Sequence, residues 1–167
     1  MRKIWFLSLA TIVFSSCEKD DICEGGESKT PNVIINMYDS FEPELLKPAA
    51  KISLIADGFK DTLVFKNRSK IEIPLQINTQ ETTWSIILHE YSPGAVNDTI
   101  IKKDKLRFLY NTEEFYVSKA CGYKVNFLDF GASLVPSQDP TNSWIQSISK
   151  LTNEITNENN AHIYLYY

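Results

Sequence analysis

Only two histidines, His89 and His162, stand in the 167 residues, and that scarcity closes most routes to metal or nucleophilic catalysis. Neither has the spacing that zinc ligation requires or clustered Cys, Asp or Glu beside it. Each is expected to be a strand residue facing solvent or a partly buried polar contact. Glycine is sparse as well, at six. Those six read as turn residues rather than as a phosphate-cradling loop. A nucleophile elbow of the Gly-x-Ser-x-Gly type is absent. No basic run interleaved with aromatics occurs, so nucleic acid is not an expected partner. No apolar stretch reaches the about 20 residues that a membrane-crossing helix needs. The chain therefore offers no catalytic, cofactor-binding or metal-ligating residue, and no cofactor is expected.

What is present is enough to fold. Apolar residues make up 43% of the chain and aromatics 12%, too much for a disordered polypeptide. The N-terminus is distinctive. Arg2 and Lys3 precede an apolar run from Ile4 to Phe14, broken only by Ser8 and Thr11, and Ser15-Ser16 leads to a cysteine. Charge, short apolar core and small residues in that order make a signal peptide of residues 1–16. Val13-Phe14-Ser15-Ser16-Cys17 resembles a lipobox, with Phe14 where Leu is usual. The resemblance implies cleavage before Cys17 and acylation of its thiol. Two or more acyl chains suffice for stable anchoring. Residues 17–31 then read as anchor and tether, with Gly25-Gly26 and a closing Pro31. Glu18-Lys19-Asp20-Asp21 resembles the acidic tract of surface-exported lipoproteins, which leaves the periplasmic face and the cell surface of the outer membrane both open. The mature chain would keep 151 residues, 15 basic against 21 acidic, for a net charge of −6. That length fits one domain, residues 32–167.

With Cys17 assigned to lipid, Cys23 and Cys121 remain as a pair in an oxidising compartment, where disulfides persist. Period-two alternation puts Cys121 on one face with Tyr123, Val125 and Phe127, hence inward. The rival reading, Cys121 as a catalytic thiol, lacks an activating His and the rest of a cysteine-protease motif.

From Asn32 onward, short apolar runs alternate with turn residues. Val33–Tyr38, Lys51–Ala56 and Thr62–Phe65 read as strands, with Asp57-Gly58 as the turn between the last two. Ile71, Ile73, Leu75 and Ile77 alternate with polar partners, and Pro74 places that strand at a sheet edge or a bulge. Thr83–Tyr91 follows, closed by Ser92-Pro93-Gly94. Thr99–Ile101 is brief, and Leu106, Phe108 and Tyr110 alternate before Asn111-Thr112-Glu113-Glu114, read as a hairpin loop into Phe115–Ser118. A strand from Cys121 to about Phe130 and another from His162 to Tyr167 complete the series. Residues 144–156 place Trp144, Ile145, Ile148, Leu151 and Ile155 at helical spacing, yet their Ile, Thr and Asn content favours strand. Eight or nine short strands predict an all-β, two-sheet antiparallel β-sandwich, immunoglobulin-like in general architecture. Most runs are shorter than the about 9–11 residues that a membrane barrel requires.

Minor motifs admit plain readings. Adjacent Glu113 and Glu114 would point to opposite faces of a strand and so cannot act as a pair. The stretch Asp57-Gly58-Phe59-Lys60-Asp61 lacks the alternating oxygen ligands of a calcium loop. Asp61-Thr62-Leu63 and Asp98-Thr99-Ile100 resemble short O-glycosylation sites. Trp84, Trp144 and the cluster Tyr164, Tyr166 and Tyr167 could grip sugars or proteins if exposed, but strand positions make core packing the default.

Taken together, the lipobox, Cys17–Cys23, Ser118–Lys124 and Ala161-His162-Ile163 resemble an uncharacterised lipoprotein family of Bacteroidota. That resemblance implies origin, export and a Cys23–Cys121 pairing, and carries no activity. The expectation is a membrane-tethered, non-enzymatic binding module for a protein or glycan partner. The alternatives are a structural or chaperone-like envelope component whose strand edges pair with another chain, and a hydrolase built from scattered carboxylates.

Overall fold

The computed structural model describes Cys23 and residues 29–91, 99–137 and 139–167. Signal peptide, Cys17, most of the tether, the Ser92-Pro93-Gly94 turn and Asp98 lie outside these residues. Nine strands are described: β1 (Val33–Tyr38), β2 (Ala49–Ala56), β3 (Thr62–Arg68), β4 (Lys70–Ile73), β5 (Glu81–Tyr91), β6 (Thr99–Ser118), β7 (Gly122–Val135), β8 (Ser147–Lys150) and β9 (Ile163–Tyr166). They form a four-stranded sheet, β4-β1-β9-β8, and a five-stranded sheet, β3-β2-β5-β6-β7. The expected two-sheet all-β sandwich is what forms.

Alternation decides which side chains enter the space between the sheets. In β5, Trp84, Ile86 and Leu88 are buried; in β6, Leu106, Phe108 and Tyr110; in β2, Ile52 and Leu54. Val33, Ile35 and Met37 of β1, Ile71 and Ile73 of β4, and Ile163 and Leu165 of β9 face them from the smaller sheet, in one hydrophobic cluster. Successive strand residues point to opposite faces, so one face of each sheet supplies this core.

The pairings are antiparallel with one exception: β1 runs parallel to β9, with Ile35 opposite Ile163 and Met37 opposite Leu165. Nearly the whole domain connects these two strands, so no tight hairpin forces them antiparallel. Pro74 does mark an edge: β4 is terminal in its sheet and stops at Ile73. Leu75 is buried beyond the strand end and Ile77 is exposed.

Three expectations change. Residues 99–118 form one strand, with Glu113 opposite Asn126 and Glu114 opposite Val125, rather than two strands around a loop. The polar residues misled because here the β6–β7 hairpin begins to leave the core, and neither face of β6 needs to be apolar. Cys121 is in the turn rather than on an inward strand face; it is half-buried, and Tyr123 is exposed. In the segment 144–156 only Ser147–Lys150 is strand and none is helical. Trp144, Ile145 and Ile155 are buried from irregular backbone. Residues near Ile155 cover the outer edge of β7: Phe127 and Ile155 exchange backbone hydrogen bonds at 3.0 and 2.7 Å. Val125 N donates to Thr30 Oγ1 at 2.9 Å on the same edge. Covered edges do not recruit foreign strands.

Candidate functional site

The outer face of the four-stranded sheet carries the most promising surface. In β1 and β9, residues of one parity fill the core, so those of the other face outward. The parallel register sets Asn36 opposite Tyr164 and Tyr38 opposite Tyr166. All four are half-buried. The Tyr38 ring stands 4.9 Å from that of Tyr164, edge to face, and 5.8 Å from that of Tyr166. Charge repulsion with Tyr38, followed by desolvation, pushes the Tyr164 phenol's pKa up, so it is neutral at physiological pH.

Beside this row lies a cavity of about 700 Å³, lined by Asn36, Leu151, Thr152, Glu154, Thr156, Asn157, Asn159, Asn160, Ala161, His162 and Tyr164. His162 is among these lining residues and is 6% exposed. The His162 Nδ1 accepts from Ile34 N at 2.9 Å. Its other nitrogen, Nε2, donates to Asn157 O at 3.0 Å. Those two partners fix the tautomer and hold the Asn-rich loop against β1. Burial lowers the His162 pKa, so the ring stays neutral. Asn157 Oδ1 accepts from Asn159 N at 3.1 Å, an Asx turn that shapes the same loop. Amide groups donate and accept at once, which suits hydroxyl-rich ligands.

A second cavity, of about 770 Å³, opens between the edge strands β3 and β4 and is lined by Lys51, Val64, Phe65, Lys66, Arg68, Lys70 and Glu72. Lys51 faces Lys66 directly across β2 and β3, and His89 across β2 and β5. Like charges in opposite positions disfavour a sheet. Lys70 pairs with Glu72 at 3.3 Å. The His89 Nε2 lies 3.0 Å from Ser53 Oγ, at hydrogen-bond distance; desolvation first and Lys51 second lower its pKa.

The remaining sequence candidates take structural places. The indole of Trp84 donates to Pro74 O at 3.1 Å and that of Trp144 to Ile86 O at 3.2 Å, both from buried positions. Tyr167 is buried under the Lys47 ammonium, 4.5 Å from its ring centre, and burial raises its pKa to about 12. Gly58 adopts φ 85° in the expected turn, and Asp57 there accepts from Lys105 Nζ at 2.8 Å. Thr62 is exposed at the start of β3. Among the described residues, no group of three or more His, Cys, Asp and Glu could hold a metal, and no helix is long and apolar enough to cross a membrane. Cys23 and Cys121 are joined by a disulfide with Cα atoms 5.2 Å apart.

Reasoning from the sequence missed the pairing of Tyr38 with Tyr164 and Tyr166. Core packing was the expectation for Tyr164 and Tyr166, yet both lie half-buried on the outer face, because Ile163 and Leu165 take the inward parity of β9 and the parallel register sets the tyrosines beside Tyr38. It also missed Asp104, a buried carboxylate on β6. Asp104 accepts from Ser143 Oγ at 2.7 Å, Trp144 N at 2.7 Å and Ile145 N at 2.8 Å.

Compared with known families, residues 51–167 match the model of a family of unknown function, DUF6452, and the chain belongs to that family. No curated protein and no solved structure matches it.

Proposed function

We propose that this member of the family is a lipid-anchored protein of the bacterial outer membrane whose β-sandwich is a non-enzymatic module for binding glycan. The observation that carries the binding role is the tyrosine row Tyr38, Tyr164 and Tyr166 beside an amide-lined cavity. Tyrosine rings offer an apolar face to the C–H side of a sugar and a hydroxyl to its rim. The asparagines beside them match the sugar hydroxyls with paired donors and acceptors. The signal peptide, the lipobox-like residues 13–17 and a disulfide suited to an oxidising compartment support the location.

Affinity electrophoresis through gels cast with bacterial and plant polysaccharides tests the binding role. Retardation of the wild type by at least one polysaccharide, lost in Tyr164→Ala, is the expected result. Equal mobility of both proteins in every gel would refute it. A second reading, an accessory component that pairs with another chain, is favoured by β3, an edge strand exposed along nearly its whole length.

A further inference from the structure

The β6–β7 hairpin outruns the sandwich, and its end is aromatic on both faces. At the rung of Phe127 the hairpin is still in the core. Towards the turn, Phe115 is 52% exposed, Tyr116 51% and Tyr123 68%. Tyr116 and Tyr123 face each other across the strands with ring centres 5.3 Å apart. Phe115 and Lys124 form the next rung, so they project from the other face, with the Lys124 ammonium 5.7 Å from the ring centre. Exposed aromatics at the far end of a hairpin gain nothing from the protein core. Another environment must account for them.

The disulfide indicates which. It ties the turn of this hairpin, through Cys121, to Cys23. On the proposed reading of Cys17 as the acylated residue, on which this inference rests, Cys23 is six residues beyond the lipid. Six residues span at most about 20 Å when fully extended. The hairpin turn therefore cannot stand further than that, plus the width of the bridge, from the acylated residue. Among the described residues beyond Cys23, the next one held to the domain is Lys29, which pairs with Glu158 at 3.0 Å; a leash ending there would have twelve residues and reach about 40 Å. The bridge thus roughly halves the leash at a hairpin end where three aromatic rings are exposed. Tyrosine rings concentrate at membrane–water interfaces, and Lys124, whose ammonium donates to Thr156 O at 3.2 Å, marks where the hairpin meets the rest of the sandwich.

We propose that the end of the β6–β7 hairpin, with Phe115, Tyr116 and Tyr123, is a foot that rests in the lipid headgroup layer of the membrane holding Cys17. The protein would then stand on this hairpin, with the sandwich held off the bilayer by the hairpin's length. A lipid surface is the occupant that the short leash selects.

The test uses the full chain, expressed with its leader and reconstituted in vesicles of phosphatidylethanolamine and phosphatidylglycerol. Tyr123→Trp, with Phe115→Trp as a second probe, places an indole on the foot; Val64→Trp, on the exposed β3 strand, is the control. Lipids brominated along the acyl chain quench an indole only on contact. Read as the difference from the parent protein, whose buried Trp84 and Trp144 also emit, the foot predicts blue-shifted emission at residues 123 and 115, and a loss of emission several times that at residue 64. Co-flotation with vesicles, while both foot probes stay red-shifted and unquenched, would overturn the foot and leave the anchor standing. A blue shift without bromine quenching would assign the patch to a protein partner or second copy and would also overturn it. Failure to float, with an intact mass lacking acyl groups, would overturn the anchor and the foot together.

Discussion

The five-stranded and four-stranded sheets of this sandwich are held together by different means. In the larger sheet, β2 and β3, β5 and β6, and β6 and β7 are joined to the next strand in sequence, with registers running as long as Glu81 opposite Leu109 through Tyr91 opposite Thr99. Each rung follows from the previous one, and little chain must be closed into a loop before a contact forms. In the smaller sheet the strands have four to six residues. Its central pair, β1 and β9, brings together residues from the two ends of the domain, such as Ile35 and Ile163. Such pairings cost loop-closure entropy and form late. Side chains make up the difference. His162 bonds the backbone of β1, Asp104 reaches from the larger sheet to hold the entry to β8, and Lys47 donates to Tyr167 O at 3.0 Å. Short strands from distant parts of a chain thus need clamps that long hairpins do not.

Removing the Asp104 clamp should have the largest effect. Asp104→Ala leaves the buried N–H groups of Trp144 and Ile145 without their acceptor. An unsatisfied buried donor costs about 1–3 kcal/mol, so the variant should lose about 3–5 kcal/mol in urea unfolding. Amide exchange should accelerate in β8 and β9 well before it does in β5. A loss below about 1 kcal/mol, or uniform exchange across both sheets, would show that the smaller sheet does not depend on this clamp.

The same contrast explains what could be read from the sequence. Alternation located β1, β4 and β5 and the apolar centre of β6, because each buries one face. Pro74 announced an edge, and β4 lies at one. Alternation fails where burial ends: at Asn111–Glu114 the hairpin departs from the core, and polar residues within a strand resemble a loop. It fails equally at Trp144 and Ile145, adjacent and both buried, because irregular backbone there lets neighbours point the same way. Asp104 shares the inward parity of Leu106 and Phe108, a signal that emerges only once residues 99–118 are recognised as one strand. The tyrosine site is the hardest to foresee. Tyr38 and Tyr164 are 126 positions apart, and nothing local states that their strands will pair in parallel.

His162 supports the β1–β9 pair, and its effect depends on pH. Burial, the largest cause, lowers its pKa, with Lys70 adding to the shift and the Asn157 and Glu158 interactions opposing it. The unfolded ring titrates near about 6.5, so below that pH the unfolded chain binds a proton that the folded chain resists. Stability from this group is complete above about pH 7 and falls as pH drops below about 6.5, by up to about 1.4 kcal/mol per pH unit. His89 is shifted in the same direction, first by burial and then by Lys51. Urea titrations from about pH 7.5 to about pH 5 should give a slope that His162→Gln reduces, His89→Gln reduces less, and the double variant abolishes. The lowered carboxylates of Asp39, Asp139 and Glu158 have the opposite charge chemistry and act only below this window, where protonating them removes stability. A slope unchanged in His162→Gln would refute the neutral, buried role of this ring.

The smallest effect belongs to the larger sheet. Lys105 on β6 reaches Asp57 in the β2–β3 turn, with Nζ 2.8 Å from the nearer carboxylate oxygen, and both side chains are more than a third exposed. An exposed ion pair contributes about 0–1 kcal/mol, because water screens the charges and ordering two flexible side chains costs entropy. Here the pair also adds to a sheet already fixed by the long β5–β6 register, in which Lys105 lies opposite Ser85. Lys105→Ala should therefore shift the urea midpoint by less than about 1 kcal/mol equivalent, and moderate salt should shrink the difference further. A loss comparable to that of Asp104→Ala would mean that the larger sheet, too, depends on side-chain clamps, and the contrast between the two sheets would fall.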